Sequence, residues 1–149
     1  MVIIRPARPG DINSLTALLK ILFTIEEDFI FDEMLQRRGL RMMLDNPWAC
    51  ILAAEADGQV IGMCTGQLTV STAEGGPALL VEDVVVRKDW HGRGIGRLLM
   101  ENLGAWAREK GVSRLQLLAD RNNGPALDFY KKLGWQTTEL ICLRKRLSP

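Results

Sequence analysis

A chain of 149 residues with 47% hydrophobic content is long enough for one domain with a sizeable core and too short for two ordinary ones. Its 19 lysines and arginines nearly balance 18 aspartates and glutamates, so no overall field draws it to nucleic acid or to an anionic membrane. The three cysteines, Cys50, Cys64 and Cys142, form no C-x-x-C pair, and no run approaches the ~18 apolar residues of a membrane span; this argues against a disulfide framework or zinc site and for a soluble, cytoplasmic protein.

Val2 to Ile4 is predicted as the first strand, followed directly by Arg5-Pro6, an apolar stretch too short for a signal peptide. Pro9-Gly10-Asp11 reads as a turn with Asp11 as helix N-cap, and Ile12, Leu15, Leu18, Leu19 and Leu22 then recur at helical spacing to an end near Phe23. Thr24 to Asp32 mixes acids with Phe29, Ile30 and Phe31, after which Glu33 to Leu44 is helical again until Asn46-Pro47 stops it. Ala49 to Ala56 and Val60 to Val70 flank Asp57-Gly58-Gln59, the pattern of an antiparallel hairpin. A turn over Ala73 to Pro77 leads into the most apolar stretch, Ala78 to Val86, expected as a central strand although Glu82 and Asp83 interrupt it.

Gly92 to Gly96 opens a long helix, with Ile95, Leu98, Leu99, Leu103 and Trp106 in phase until Lys110-Gly111 closes it. Arg114 to Ala119 is expected as a strand, Asn123 to Leu133 as a short helix with Pro125 in its first turn, and Thr137 to Leu147 as a last strand. Antiparallel strands followed by one strand-helix-strand crossover describe an α/β domain with a mixed sheet, a single domain over residues 1–149.

The sharpest chemical signal is Val84-Val85-Val86 running through Arg87-Lys88-Asp89-Trp90 into His91-Gly92-Arg93-Gly94-Ile95-Gly96. A buried strand feeding a glycine-rich turn at a helix N-terminus is an anion site, because the glycines admit close backbone approach and the first-turn amides point outward with the positive end of the dipole. Arg87, Lys88, Arg93 and Arg97 add charge for further phosphate. A glycine turn that merely starts a helix is the competing reading, so context decides. A P-loop is excluded by Arg97 and Leu98 after Gly96, where Lys and Ser or Thr are needed. A dinucleotide fold fits poorly, since antiparallel strands precede the turn and few residues follow it.

The run Val86 to Gly96 resembles the coenzyme A-binding motif of the GNAT acetyltransferases, a strand followed by Q/R-x-x-G-x-G/A. A second block, Asn123-Gly124-Pro125-Ala126-Leu127-Asp128-Phe129-Tyr130-Lys131-Lys132-Leu133-Gly134-Trp135, resembles that family's N-x-x-A-x-x-F-Y-e-k-x-G-F. His91, the only histidine, stands where the family usually has Gln or Arg, a departure expected to change affinity modestly.

The resemblance implies a mixed, mostly antiparallel sheet flanked by helices with a β-α-β coenzyme A-binding core. It implies acetyl-coenzyme A as cosubstrate, held by the main chain of Val84, Val85 and Val86, by His91, Gly92, Arg93, Gly94, Ile95, Gly96 and Arg97, and by Asn123. Pantetheine would enter where the Val84–Val86 strand splays from its parallel neighbour, pairing like an extra strand, while a strand amide polarises the thioester carbonyl. A neutral amine then attacks without a metal or a covalent enzyme intermediate.

Tyr130, the only tyrosine, stands at the family's tyrosine position; a phenol of ordinary pKa ~10 can protonate the leaving thiolate, the competing role being an aromatic packed beside Phe129. Glu82 is assigned as the base, and alternation along the strand is expected to turn Asp83 away from the cleft; a strand-end carboxylate paired with arginine is the other reading of Glu82. The acceptor wall would come from the first two helices and their loop, pointing to Phe23, Glu26, Glu27, Asp28, Phe29 and Phe31, with Phe23, Glu27 and Phe29 as substrate-binding residues. The acids suit a cationic acceptor, a small molecule or a peptide amine. A homodimer is compatible with this reading, nucleic acid and membrane are not expected as partners, and a noncatalytic acyl-coenzyme A sensor is the alternative function. Cys64, Cys142 and the four tryptophans are expected as packing residues, and Arg144-Lys145-Arg146 is too short for a nucleic-acid patch.

Overall fold

The computed structural model describes residues 1–26 and 28–149, in two compact units, 1–117 and 118–149. The first unit holds one five-stranded sheet in the order β1-β2-β3-β4-β5, with β1 at Val2–Pro6, β2 at Ala49–Ala56, β3 at Gln59–Ser71, β4 at Gly76–Val86 and β5 at Leu115–Leu117. β1 through β4 are antiparallel neighbours, and only β4 and β5 run parallel, joined by the crossover helix α3, Ile95–Glu109. Helices α1, Ile12–Ile25, and α2, Glu33–Leu44, lie between β1 and β2 in sequence. The expected mixed, mostly antiparallel sheet is what forms.

Opposite faces of the sheet carry different helices. Leu15, Leu18, Leu19 and Leu22 of α1 and Leu40 of α2 cluster with Ile51, Ala53, Met63 and Val85. On the other face, a Cβ at Gly66 would lie 3.1 Å from Leu103 of α3, and the Cys64 thiol faces the Leu99 carbonyl at 3.8 Å. The heptad-like stripe of α3 thus closes the second layer with Leu99 and Leu103 fully buried, each contributing about 1.5–3 kcal/mol of hydrophobic stabilisation. The β2–β3 connection is the tight turn expected: Asp57 and Gly58 both take left-handed backbone, at φ 52° and 74°.

Two sequence expectations differ. Asp11 occupies the N-cap position of α1 but does not cap that helix with its side chain; its carboxylate accepts from the Arg5 guanidinium at 2.8 and 3.0 Å and, closing the preceding turn, from the Arg8 N–H at 2.8 Å. A two-pronged charge-assisted pair outcompetes a helix cap. In the second unit, residues 137–147 form no strand and are exposed. Apolar spacing alone does not make a strand, which exists only when a neighbour takes its main-chain groups; among the described residues nothing pairs with this segment. No helix among the described residues is long and apolar enough to cross a membrane.

Candidate active site

The glycine turn is built for close approach. Gly92 and Gly94 both adopt φ 76°, a conformation that costs any residue with a Cβ about 1–2 kcal/mol, and Gly94 is the N-cap of α3. No atom outside the turn lies within 4 Å of where a Cβ would stand at either glycine, so the conformation and not crowding requires glycine here. The first-turn amides of α3 have no acceptor within the helix and are the groups suited to an anion.

The cations around this turn are unequally committed. Arg87 is paired with Asp89 at 2.7 Å and bonded to Gln59, and Arg97 is paired with Glu101 at 3.0 Å. Arg93 stacks its guanidinium 4.5 Å from the Trp90 ring centre. His91 donates from Nε2 to the Val86 carbonyl at 2.7 Å, which fixes the proton on that nitrogen. A carbonyl has two lone pairs, so Val86 retains acceptor capacity for a ligand amide.

Upstream, the parallel pairing of β4 with β5 covers only Leu79, Leu80 and Val81, opposite Leu115, Gln116 and Leu117. From Glu82 to Val86, β4 continues beyond the last pair, so Val84 and Val86 lie on a strand segment that β5 does not pair. β4 is also irregular on its β3 side. β3 and β4 pair Thr65 with Glu82 and then Met63 with Val85, so Asp83 and Val84 together oppose Cys64, and Asp83 sits at φ 53°. This is a β-bulge whose extra residue bends the strand.

The bulge removes the strict alternation from which Asp83 was expected to turn away from the cleft. Thr65 is the register partner of Glu82 and therefore shares its face, yet the Thr65 hydroxyl donates to Asp83 Oδ2 at 2.9 Å. Both carboxylates are thus brought to the face that α1 and α2 cover. Burial pushes the Asp83 carboxyl above the ordinary aspartate range, partly offset by the Thr65 bond. Glu82 is exposed at its outer surface but partly desolvated, and that desolvation, the Asp83 charge and the Glu26 charge all push it upward. Among the described residues, no ion pair neutralises Glu82 or Asp83. The sequence reading missed Thr65 altogether; Asp83 itself was a signal, because aspartate is among the few non-glycine residues that tolerate left-handed backbone.

The proposed acceptor wall is partly assembled. Phe23, half-buried against the α1 core, meets Phe29 with ring centres 5.8 Å apart, and Glu26 closes α1 through its N–H to the Leu22 carbonyl. Phe31 lies 6.0 Å beneath the Lys20 ammonium. Glu27 lies outside the described residues.

In the second unit, α4 spans Gly124–Lys132, and Asn123 caps it, its Oδ1 accepting from the Ala126 N–H at 3.2 Å. That leaves the amide's N–H groups as the part suited to a ligand acceptor. Tyr130 packs edge-on to Phe129 at 5.1 Å and to Trp135 at 5.7 Å, so an aromatic packing role accompanies any role of its hydroxyl. Among the described residues, no group of three or more His, Cys, Asp and Glu side chains is arranged to hold a metal ion.

Comparison with known proteins identifies the family. The model of the acetyltransferase (GNAT) family matches residues 15–135. Streptothricin acetyltransferase of Streptomyces lavendulae is 34% identical over 84 residues, 56% of this chain but only 42% of that protein. Thialysine N-epsilon-acetyltransferase of Bos taurus is 31% identical over 147 residues, 91% of this chain and 84% of that protein. The crystal structure of a predicted acetyltransferase with acetyl-CoA from Clostridium acetobutylicum superposes with a TM-score of 0.81 at 22% identity, covering 97% of this chain and 96% of its own, a likeness of fold.

Proposed function

Because the chain belongs to the acetyltransferase (GNAT) family, we propose that it transfers an acetyl group from acetyl-coenzyme A to a cationic primary amine by direct attack in a ternary complex. The observation that carries this reading is the end of β4 that β5 does not pair, leading into a left-handed glycine turn at the N-terminus of α3. An extended amide chain suits the first element and a pyrophosphate the second. In this reading Val84, Val85 and Val86 hold the pantetheine arm, the stretch from His91 to Arg97 holds the phosphates, and Asn123 adds a hydrogen bond, the whole chain acting as one catalytic domain.

The acceptor class follows from charge. Glu82, Asp83 and Glu26 lie close enough that the charges of Asp83 and Glu26 act on Glu82, and Phe23 and Phe29 of the expected acceptor wall meet each other; carboxylates with aromatic rings suit an ammonium carried on an apolar or aliphatic arm. A relative named as a thialysine N-epsilon-acetyltransferase supports an amine acceptor. Glu82 accepts a proton from the ammonium, the freed nitrogen lone pair forms the C–N bond, the C–S bond breaks as Tyr130 protonates the departing thiolate, and the acylated nitrogen gives its second proton to solvent. Solvent then restores both side chains.

A panel of primary amines, diamines and amino sugars with acetyl-coenzyme A, followed by thiol release, tests the proposal. Turnover with one or more cationic amines is expected. Coenzyme A binding without turnover on any amine would return the chain to the sensor reading, and no binding at all would remove the coenzyme assignment.

A further inference from the structure

We propose that Thr65 and Asp83 are positioning residues for the base: the Thr65 hydroxyl holds the Asp83 carboxylate, displaced by the bulge, on the face of Glu82, where its charge strengthens Glu82 as a proton acceptor. The inference rests on the reading of Glu82 as that acceptor.

Three independent features of the structure converge on this pair. First, the bulge breaks the alternation of β4, and only with that break do two consecutive carboxylates share a face. Second, the residue in the left-handed position is an aspartate, although glycine or asparagine would adopt φ 53° without bringing a charge into a poorly solvated place. Third, Thr65 is fully buried and directs its hydroxyl at that carboxylate over 2.9 Å, and a hydroxyl donor favours the ionised form. A valine would fill the same position of β3 and suit its buried face, so the hydroxyl is the informative part of the side chain.

Among the described residues, the titratable groups that act on this pair are few. From β4 there is Glu82, from the end of α1 Glu26, and from β3 Cys64, whose thiol burial holds neutral and which faces the Leu99 carbonyl. An ionised Asp83 therefore acts on Glu82 without a compensating cation among the described residues. Like charge makes Glu82 bind a proton more tightly, which is what a base facing an alkylammonium requires.

Carboxyl carbon-13 resonances of the full chain, followed by pH titration, read the effect without acceptor or coenzyme, with Glu82 assigned by its loss in Glu82→Gln. Asp83→Asn is the first variant, since asparagine tolerates left-handed backbone and its oxygen still accepts from Thr65. The Glu82 midpoint should fall in Asp83→Asn, and the acid limb of kcat/KM should move to lower pH with it. An unmoved midpoint overturns the proposal. Thr65→Val supplies the second arm and guards against a fold effect at position 83: the Asp83 midpoint should rise, and Thr65→Ser should restore it. An Asp83 midpoint indifferent to the hydroxyl overturns the proposal equally. If the titrations behave as stated but Glu82→Gln keeps full turnover, the assignment of the base falls and the coupling of the three side chains stands.

Discussion

Glu82 and Tyr130 divide the proton traffic of the proposed reaction, and single-atom substitutions separate them. Glu82→Gln should lower turnover of an alkylamine at neutral pH by roughly 10²–10⁴-fold, the usual worth of a general base. Raising the pH should recover part of the loss, because more of the amine is then already neutral. In the unmodified enzyme the acid limb should sit above the ordinary glutamate range, since desolvation and the Asp83 charge raise the Glu82 carboxyl; activity is lost as pH falls through that raised value. A pH–rate profile identical in both proteins would place the base elsewhere. Tyr130→Phe should lower kcat while leaving coenzyme A affinity unchanged, because the ring contacts to Phe129 and Trp135 survive the loss of one oxygen; calorimetry with coenzyme A beside steady-state rates reads both quantities. Glu82 and Asp83 were legible as candidates because two acids interrupt a valine-rich strand. Thr65 was not, because a threonine in a strand is ordinary and its meaning comes only from the residue opposite.

The elements with strong periodicity were readable from the chain alone, and the local exceptions were not. α3 follows its apolar stripe from Ile95 and ends at Lys110 and Gly111, the latter at φ 79°, as a helix closed by a left-handed glycine should. The β4 bulge escaped the reading because register is a property of two strands: Met63 and Thr65 on β3 reveal the extra residue, and neither neighbours β4 in sequence. Residues 137–147 show the reverse error, a strand-like composition that joins no sheet among the described residues. At the glycine turn the structure sharpens what a substitution should do. Space is open around Gly94, so Gly94→Ala acts through its backbone, costing about 1–2 kcal/mol in the left-handed state. Reorientation of the first α3 amides should then weaken coenzyme A binding about tenfold, with little change in the far-ultraviolet circular dichroism. Gly104→Ala, in the middle of the same helix where a Cβ also meets nothing within 4 Å, is the matched control and should bind normally. Equal affinities for the two variants would remove the anion-site role of the turn.

Over the whole molecule a net charge of +1 leaves little general repulsion, so the dependence of stability on pH falls to individual carboxyls. Two of them act in opposite directions. The Arg5 guanidinium and the Arg8 N–H hold Asp11 below its ordinary value, so its contribution is present above the unfolded value and is lost as pH falls through the folded one. Asp83 is raised by burial despite its bond from Thr65, so its ionised form destabilises the fold at neutral pH. That cost fades as pH falls through the raised folded value and is gone below the unfolded value near ~3.9. Each unit of such a shift is worth about 1.4 kcal/mol. Asp83→Asn removes the charge and keeps both the left-handed backbone and an acceptor for Thr65, so it should melt above the unmodified protein at pH 7. For a chain of this size the gain is roughly 2–4 °C per kcal/mol, and the gap should close as the pH approaches 4. Asp11→Asn should differ in the opposite sense at pH 7, with its deficit also closing in acid. Calorimetric scans of the three proteins between pH 4 and 7 read these signs directly. If Asp83→Asn gains stability while losing turnover, the buried carboxylate is retained against the interest of the fold, as a residue kept for chemistry should be. A variant that melts at or below the unmodified protein at pH 7 would instead make Asp83 a stabilising member of the sheet and withdraw its role beside Glu82.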